Sequence, residues 1–222
     1  MTRLEQFRKL NPDKTVYTVH DKEFAQYGYL VDAGDISALV EAAEKYAPLP
    51  VDSFVYEASV PCLEKLPESR KLAELCWGCA DTQVGLGRGN ANSLDALEWH
   101  SCGETSVAIS DMVFLVADRR EMVDGRLDSA CVKAFYLAKG EIINLYATTL
   151  HYCPAEVDSN GLSCIVMLPR GTNGELSCPV DDPMLRACNK WIFVHKDCVE
   201  LQRQGMVAGI DGENLTYRSI KL

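Results

Sequence analysis

Leu97-Glu98-Trp99-His100-Ser101-Cys102-Gly103-Glu104 is the stretch on which the reading of this chain turns. Glu98 and His100 stand two apart, so on an extended strand both side chains leave the same face while Trp99 goes to the other. Ser101-Cys102-Gly103 has the small-residue make-up of a tight break, which returns Glu104 toward His100 from the neighbouring strand. A second stretch, Leu145-Tyr146-Ala147-Thr148-Thr149-Leu150-His151, reads as a strand end, a small-residue turn and a further strand bearing His151.

Imidazole nitrogen and carboxylate oxygen together suit a divalent ion of intermediate hardness. His100, Glu104 and His151 are therefore candidate metal ligands, with Glu98 either a fourth ligand or a group that moves protons. The ion expected first is Mn²⁺; Fe²⁺, Co²⁺, Ni²⁺ and Zn²⁺ suit the same donors. On spacing alone, His100 with Glu104 also fits a surface hydrogen-bonded pair, and His151 also fits a core histidine. His20 and His195, flanked by charged residues, are expected to be exposed.

The sequence between and after these stretches has the rhythm of an antiparallel barrel or jelly roll. Apolar, β-leaning runs over 106–116, 130–138, 142–147 and 162–168 are separated by Gly, Asp or Lys-Gly turns. Before them, Ile36, Leu39, Val40, Ala43 and Tyr46 fall at helical spacing over 35–47 and stop at Pro48, and a shorter helix fits 68–76. The Pro-rich run 60–67 between them resists regular structure. Towards the C-terminus, 183–190 and 195–204 have helical character around a short strand at 191–194, and Gly205, Gly209 and Gly212 punctuate an irregular tail. The expected fold is mainly β, a single domain over 1–222. Residues 1–82 form a helical or irregular wrap, 83–182 the barrel core, and 183–222 a helical extension.

Gly85, Gly87 and Gly89 lack the Lys-Ser/Thr of a phosphate-binding loop and miss the dinucleotide spacing, so this segment is expected to be a turn or barrel lip. Cys76 and Cys79 form a lone Cys-x-x-Cys with no second pair at zinc-ribbon spacing. Ten cysteines without an export signal read as reduced thiols. The formal charge of −10, from 22 basic and 32 acidic residues, would repel a polyphosphate backbone, which argues against nucleic acid as partner. No stretch approaches the apolar length of a membrane span, and the expected location is the cytoplasm.

Glu98-x-His100-x-x-x-Glu104 is similar to the first cupin motif, in which two histidines one residue apart precede a glutamate, with the leading histidine replaced here by Glu98. The stretch Tyr146 to His151 is similar to the second cupin motif, which also ends in histidine. More closely, Leu97-Glu98-Trp99-His100, Ser110-Asp111-Met112-Val113-Phe114-Leu115-Val116, Leu145 to Pro154 and Gly212-Glu213-Asn214-Leu215-Thr216 resemble a bacterial cupin-like family associated with sugar utilisation. That family includes sulfoquinovose isomerases, which interconvert an aldose sulfonate and its ketose. The resemblance implies a cupin-like β-barrel, a metal-dependent aldose-ketose isomerase, a small-molecule sugar substrate and a homodimer. An anionic sugar tail calls for cations, for which Arg88 and Arg119 are candidates by residue type, and Tyr146 is a candidate to touch the sugar ring. Two other roles suit the same donors: a lyase of the ureidoglycolate type, and a non-catalytic barrel that senses a sugar.

Overall fold

A computed structural model describes residues 1–51 and 54–221. Three sheets carry the architecture. In the first, the strand order is Gly28–Leu30, Ile142–Leu145, Glu104–Ala108, Leu162–Pro169, Thr82–Gly89 and Val55–Glu57, antiparallel throughout. The second runs Val16–Thr18, Lys133–Leu137, Met112–Asp118 and Thr149–Leu150, with Ala155–Glu156 also pairing Met112–Asp118. The third runs Leu185–Ala187, Lys190–His195, Val207–Asp211 and Leu127–Asp128, with Ala96–Trp99 added to the free side of Lys190–His195.

Alternation along the strands sorts the side chains into layers. In Met112–Asp118, Met112, Phe114 and Val116 turn toward the first sheet and meet Ile143, Leu145, Leu162 and Cys164, which closes the interior of the barrel. Val113, Leu115 and Ala117 turn the other way, onto Leu97, Phe193, Ile210 and Phe7. The outer face of the first sheet, with Val84, Leu86, Val107 and Ile165, is covered by helices Ser37–Tyr46, Pro61–Glu64 and Pro67–Trp77 through Leu39, Leu63 and Leu72. Each such fully buried leucine contributes about 1.5–3 kcal/mol of burial free energy. The result is the mainly β, cupin-like arrangement of curled sheets with helices outside.

The helices expected at 35–47 and 68–76 are found at Ser37–Tyr46 and Pro67–Trp77. Pro48 follows the first closely, and Gly78 in the left-handed conformation stops the second. Other expectations need correction. The wrap over 1–82 also supplies edge strands: Val16–Thr18 pairs in parallel with Lys133–Leu137, and Gly28–Leu30 pairs with Ile142–Leu145. The glycine-rich segment is a strand of the barrel wall, Thr82–Gly89, and not a lip. Gly85 lies against the 55–58 segment, where a Cβ would come within 2.6 Å of the Glu57 carbonyl oxygen, so the missing side chain admits a close strand pairing.

The C-terminal section is likewise strand more than helix. Leu185–Ala187, Lys190–His195 and Val207–Asp211 form the backbone of the third sheet, and Val199–Arg203 is the one short α-helix between them. A tight turn at Asn189, whose φ is +56°, breaks what its composition presents as a helix over 183–190. His195 ends its strand fully buried, its Nδ1 accepting from the Asp197 amide at 3.1 Å, because that strand lies inside the sheet and not on its rim. The ten cysteines are all free thiols. No helix among the described residues is long and apolar enough to cross a membrane.

Candidate metal centre

Four side chains converge at one end of the barrel interior. Glu98 lies on the strand Ala96–Trp99, and His100 follows that strand by one residue on the same face, while Trp99 stacks on Trp191 behind it at 5.9 Å. Reciprocal backbone hydrogen bonds join Glu98 to His151, with the Glu98 amide donating at 2.6 Å and the His151 amide at 3.0 Å. Glu104 opens the strand Glu104–Ala108 and turns inward together with Ser106, whose hydroxyl donates to Glu104 Oε1 at 3.1 Å. Gly103 makes that entry feasible: a Cβ there would stand 2.6 Å from the Leu145 carbonyl oxygen.

The distances describe a compact donor set. Glu104 Oε2 is 3.2 Å from His151 Nε2 and 3.5 Å from His100 Nε2. Glu98 Oε1 is 3.9 Å from His100 Nε2, and Glu98, His100 and His151 each offer an atom within 4.8 Å of the others. All four residues are buried, between 1% and 8% exposed.

Both imidazoles are held through their other nitrogen. His100 Nδ1 donates to the Asn189 carbonyl at 2.7 Å, and His151 Nδ1 donates to the Thr149 carbonyl at 3.0 Å. Those bonds fix the tautomer that leaves each Nε2 free to act as a ligand, the orientation that metal-bound histidines adopt. His100 Nε2 is buried without a hydrogen-bond partner. A buried polar atom in that condition costs about 1–3 kcal/mol unless something satisfies it, and a divalent ion would do so. The residues present therefore fit a metal.

The electrostatics agree with this. Burial alone would lower the basicity of His151, but the Glu104 carboxylate outweighs it and raises the imidazole to about 9. Burial likewise opposes charge on Glu104, yet the two histidines hold its carboxyl well below the ordinary range. The centre thus prefers positive charge at the point where the imidazole and carboxylate atoms meet.

Above the donors lies a cavity of about 240 Å³, lined by Phe54, Tyr56, Ser106, Phe114, Tyr152, Cys153, Cys164 and Lys190 among others. Burial pushes the hydroxyls of Tyr56 and Tyr152 up, so both remain neutral donors at ordinary pH. Lys190 brings its Nζ to 2.5 Å from Glu98 Oε2 and about 5.9 Å from the centre of the Tyr152 ring.

Sequence reading brought Glu98, His100, Glu104 and His151 to one place, and the structure joins them. It does not join the three expected to touch the substrate. Arg88 shares the face of its strand with Leu86, opposite Gly87 and the cavity, and pairs with Glu57 at 3.0 Å. Arg119 lies over the Trp99 ring at 5.4 Å, on the side of that strand that faces away from the donors. Tyr146 is 41% exposed and rests against Tyr29 outside the cavity. Asn189 and Lys190 were missed, because the turn that brings them to the site lies where composition reads as helix. The signal available for them was the Asn189-Lys190 pair standing directly before the apolar run Trp191-Ile192-Phe193-Val194, with an asparagine that can take a turn conformation.

A comparison with curated proteins returns no match. Among solved structures, a variant of Bacillus subtilis oxalate decarboxylase is similar at a TM-score of 0.31 and 15% identity over 40% of this chain. This chain covers 22% of that enzyme's length. EvdO2 from Micromonospora carbonacea var. aurantiaca, complexed with 2-oxoglutarate, is similar at a TM-score of 0.48 and 10% identity over 72% of this chain and 93% of its own. Neither likeness transfers a substrate or a ligand set. The family model described as Domain of unknown function (DUF4867) matches residues 16–215, nearly the whole chain, and the protein therefore belongs to that family.

Proposed function

We propose that this chain is a metal-dependent isomerase that interconverts the aldose and ketose forms of a sugar derivative through a cis-enediolate. The observation that carries the reading is the buried set His100, His151 and Glu104, with His100 Nε2 unpartnered, at the base of a cavity. These three residues would hold the ion and Glu98 stands beside them. A bound divalent ion, Mn²⁺ first, would supply polarisation of the sugar oxygens and compensation of negative charge.

The chain's own residues account for the rest of the chemistry. Glu98 has one oxygen toward the donors and the other on Lys190, which suits it to carry a proton between adjacent carbons of a substrate above it. Tyr56 and Tyr152, neutral and largely buried, are placed to donate to sugar hydroxyls, and Phe54 and Phe114 add apolar wall that keeps bulk water from the reacting carbons. Charge supports an enolate-forming reaction in particular. With His151 held neutral as a metal ligand, Glu98 and Glu104 against Lys190 sum to minus one, and a divalent ion would bring the lining to plus one, the complement of a single developing negative charge.

Sulfoquinovose is the first substrate to test, on the strength of the sequence resemblance. With Arg88 and Arg119 facing elsewhere, Lys190 is the lysine or arginine side chain that lines the cavity among the described residues. Metal-stripped protein, reloaded with Mn²⁺, should convert one member of a panel of sulfonated, phosphorylated and plain aldoses to its ketose. NMR in D₂O should show deuterium entering the carbon that loses its proton. Bound metal with no conversion and no exchange across the panel would remove the isomerase reading.

A further inference from the structure

Among the described residues, Lys190 and Glu98 form the one ion pair in this cavity that involves a side chain outside the donor set. Lys190 Nζ is 2.5 Å from Glu98 Oε2, and both side chains are largely buried, 21% and 11% exposed. The same two-residue segment also fixes His100, through the Asn189 carbonyl. The segment is itself held in place. Asn189 Oδ1 accepts from the Ser101 amide at 2.9 Å, and the strand that follows pairs Trp191 with Trp99 and Ile192 with Glu98. Lys190 is thus fixed on the far side of Glu98 from the histidines.

Of the two glutamates, Glu104 approaches both imidazoles, at 3.2 and 3.5 Å, while Glu98 stands off at 3.9 Å from His100. A carboxylate beside a divalent ion in a buried site is drawn onto it unless another cation competes for its oxygens. Here an ammonium does compete.

We propose that Lys190 is a positioning residue that decides what Glu98 does: by holding Oε2, it keeps Glu98 off the metal, so that this carboxylate remains a proton carrier and not a fourth ligand. The inference rests on the metal-centre reading and goes beyond it, because it settles which of two roles Glu98 takes and names the group responsible. Removing the ammonium frees Glu98 to close onto the ion.

The test uses Co²⁺ as probe, since its visible absorption reports ligand number and geometry without turnover. Wild type, Lys190→Met, Lys190→Arg, Glu98→Gln and the double variant Lys190→Met/Glu98→Gln are each stripped and titrated with Co²⁺, with folding checked by circular dichroism. Lys190→Met is expected to change the spectrum and tighten Co²⁺ binding about tenfold, within the range that outer partners exert on metal affinity. Lys190→Arg should keep the wild-type spectrum. Glu98→Gln alone should also keep it, and in the double variant it should cancel the effect of Lys190→Met. A Lys190→Met spectrum identical to wild type, or a changed spectrum in Glu98→Gln alone, overturns this inference while leaving the metal centre in place. Wild-type protein that gives no Co²⁺ spectrum overturns both.

Discussion

Adding a divalent ion to metal-free protein should raise its melting temperature, and His100→Ala should abolish the rise. The magnitude follows from the site. An ion present at a hundred times its dissociation constant, and bound by the folded state alone, stabilises by about 2.7 kcal/mol. For a chain of this size each kcal/mol moves the midpoint about 2–4 °C, so the shift should be about 5–10 °C. His100→Ala removes the Nε2 donor and also strands the Asn189 carbonyl that Nδ1 now satisfies. That loss alone should cost about 1–3 kcal/mol in the absence of metal. Differential scanning fluorimetry of the two proteins, each with chelator and with Mn²⁺ or Zn²⁺, separates the baseline loss from the lost response. His151→Ala should behave the same way, and Glu104→Gln should weaken the response. A full shift that persists in His100→Ala and His151→Ala would refute the assignment of these donors.

Gly103→Ala should lower stability by about 1–3 kcal/mol in urea unfolding and weaken metal binding, because its Cβ would meet the Leu145 carbonyl oxygen at 2.6 Å and push Glu104 out of line. Wild-type metal affinity in that variant would show that the close approach is not needed. Asp118, whose carboxyl is held at about 2 chiefly by its hydrogen bond from Arg120, against the opposing effect of burial, stabilises the fold above its unfolded value of 3.8 and loses that contribution as pH falls through about 2. Asp118→Asn should therefore melt below wild type at pH 7, by about 1–2 kcal/mol given the exposure of Arg120, and the gap should close towards pH 2; a constant gap across that range would contradict the ion pair. Arg88→Met and Arg119→Ala should change kcat/KM on the identified substrate by no more than about twofold, since both side chains lie outside the cavity, and a loss of a hundredfold in either would return it to the site.

What could be read from sequence was what depends on local periodicity. Glu98 and His100 share a face because strand residues alternate, and Glu104 lies next to them because Ser101-Cys102-Gly103 can only be a break. Arg88 could have been placed by the same rule, since Leu86 and Val84 share its parity and are buried under the helices, on the side away from the cavity. Strand parity, not the charge of the residue, decides which side of the sheet it takes. Lys190 lay beyond local reasoning for a different cause. It reaches Glu98 through a strand pairing, Ile192 with Glu98, that spans ninety-odd residues and follows a left-handed turn at Asn189 which an asparagine permits but does not announce. Composition over 183–190 pointed to helix, and the sheet overrode it, as tertiary pairing commonly overrides weak propensity.

The most direct test of the central claim is a crystal of the Mn²⁺-loaded protein with anomalous scattering measured at a wavelength where manganese contributes. The account predicts one strong anomalous peak per chain, about 2.0–2.3 Å from His100 Nε2, His151 Nε2 and a Glu104 oxygen, with Lys190 still on Glu98. A peak elsewhere on the chain, or none at these residues at saturating Mn²⁺, would contradict it.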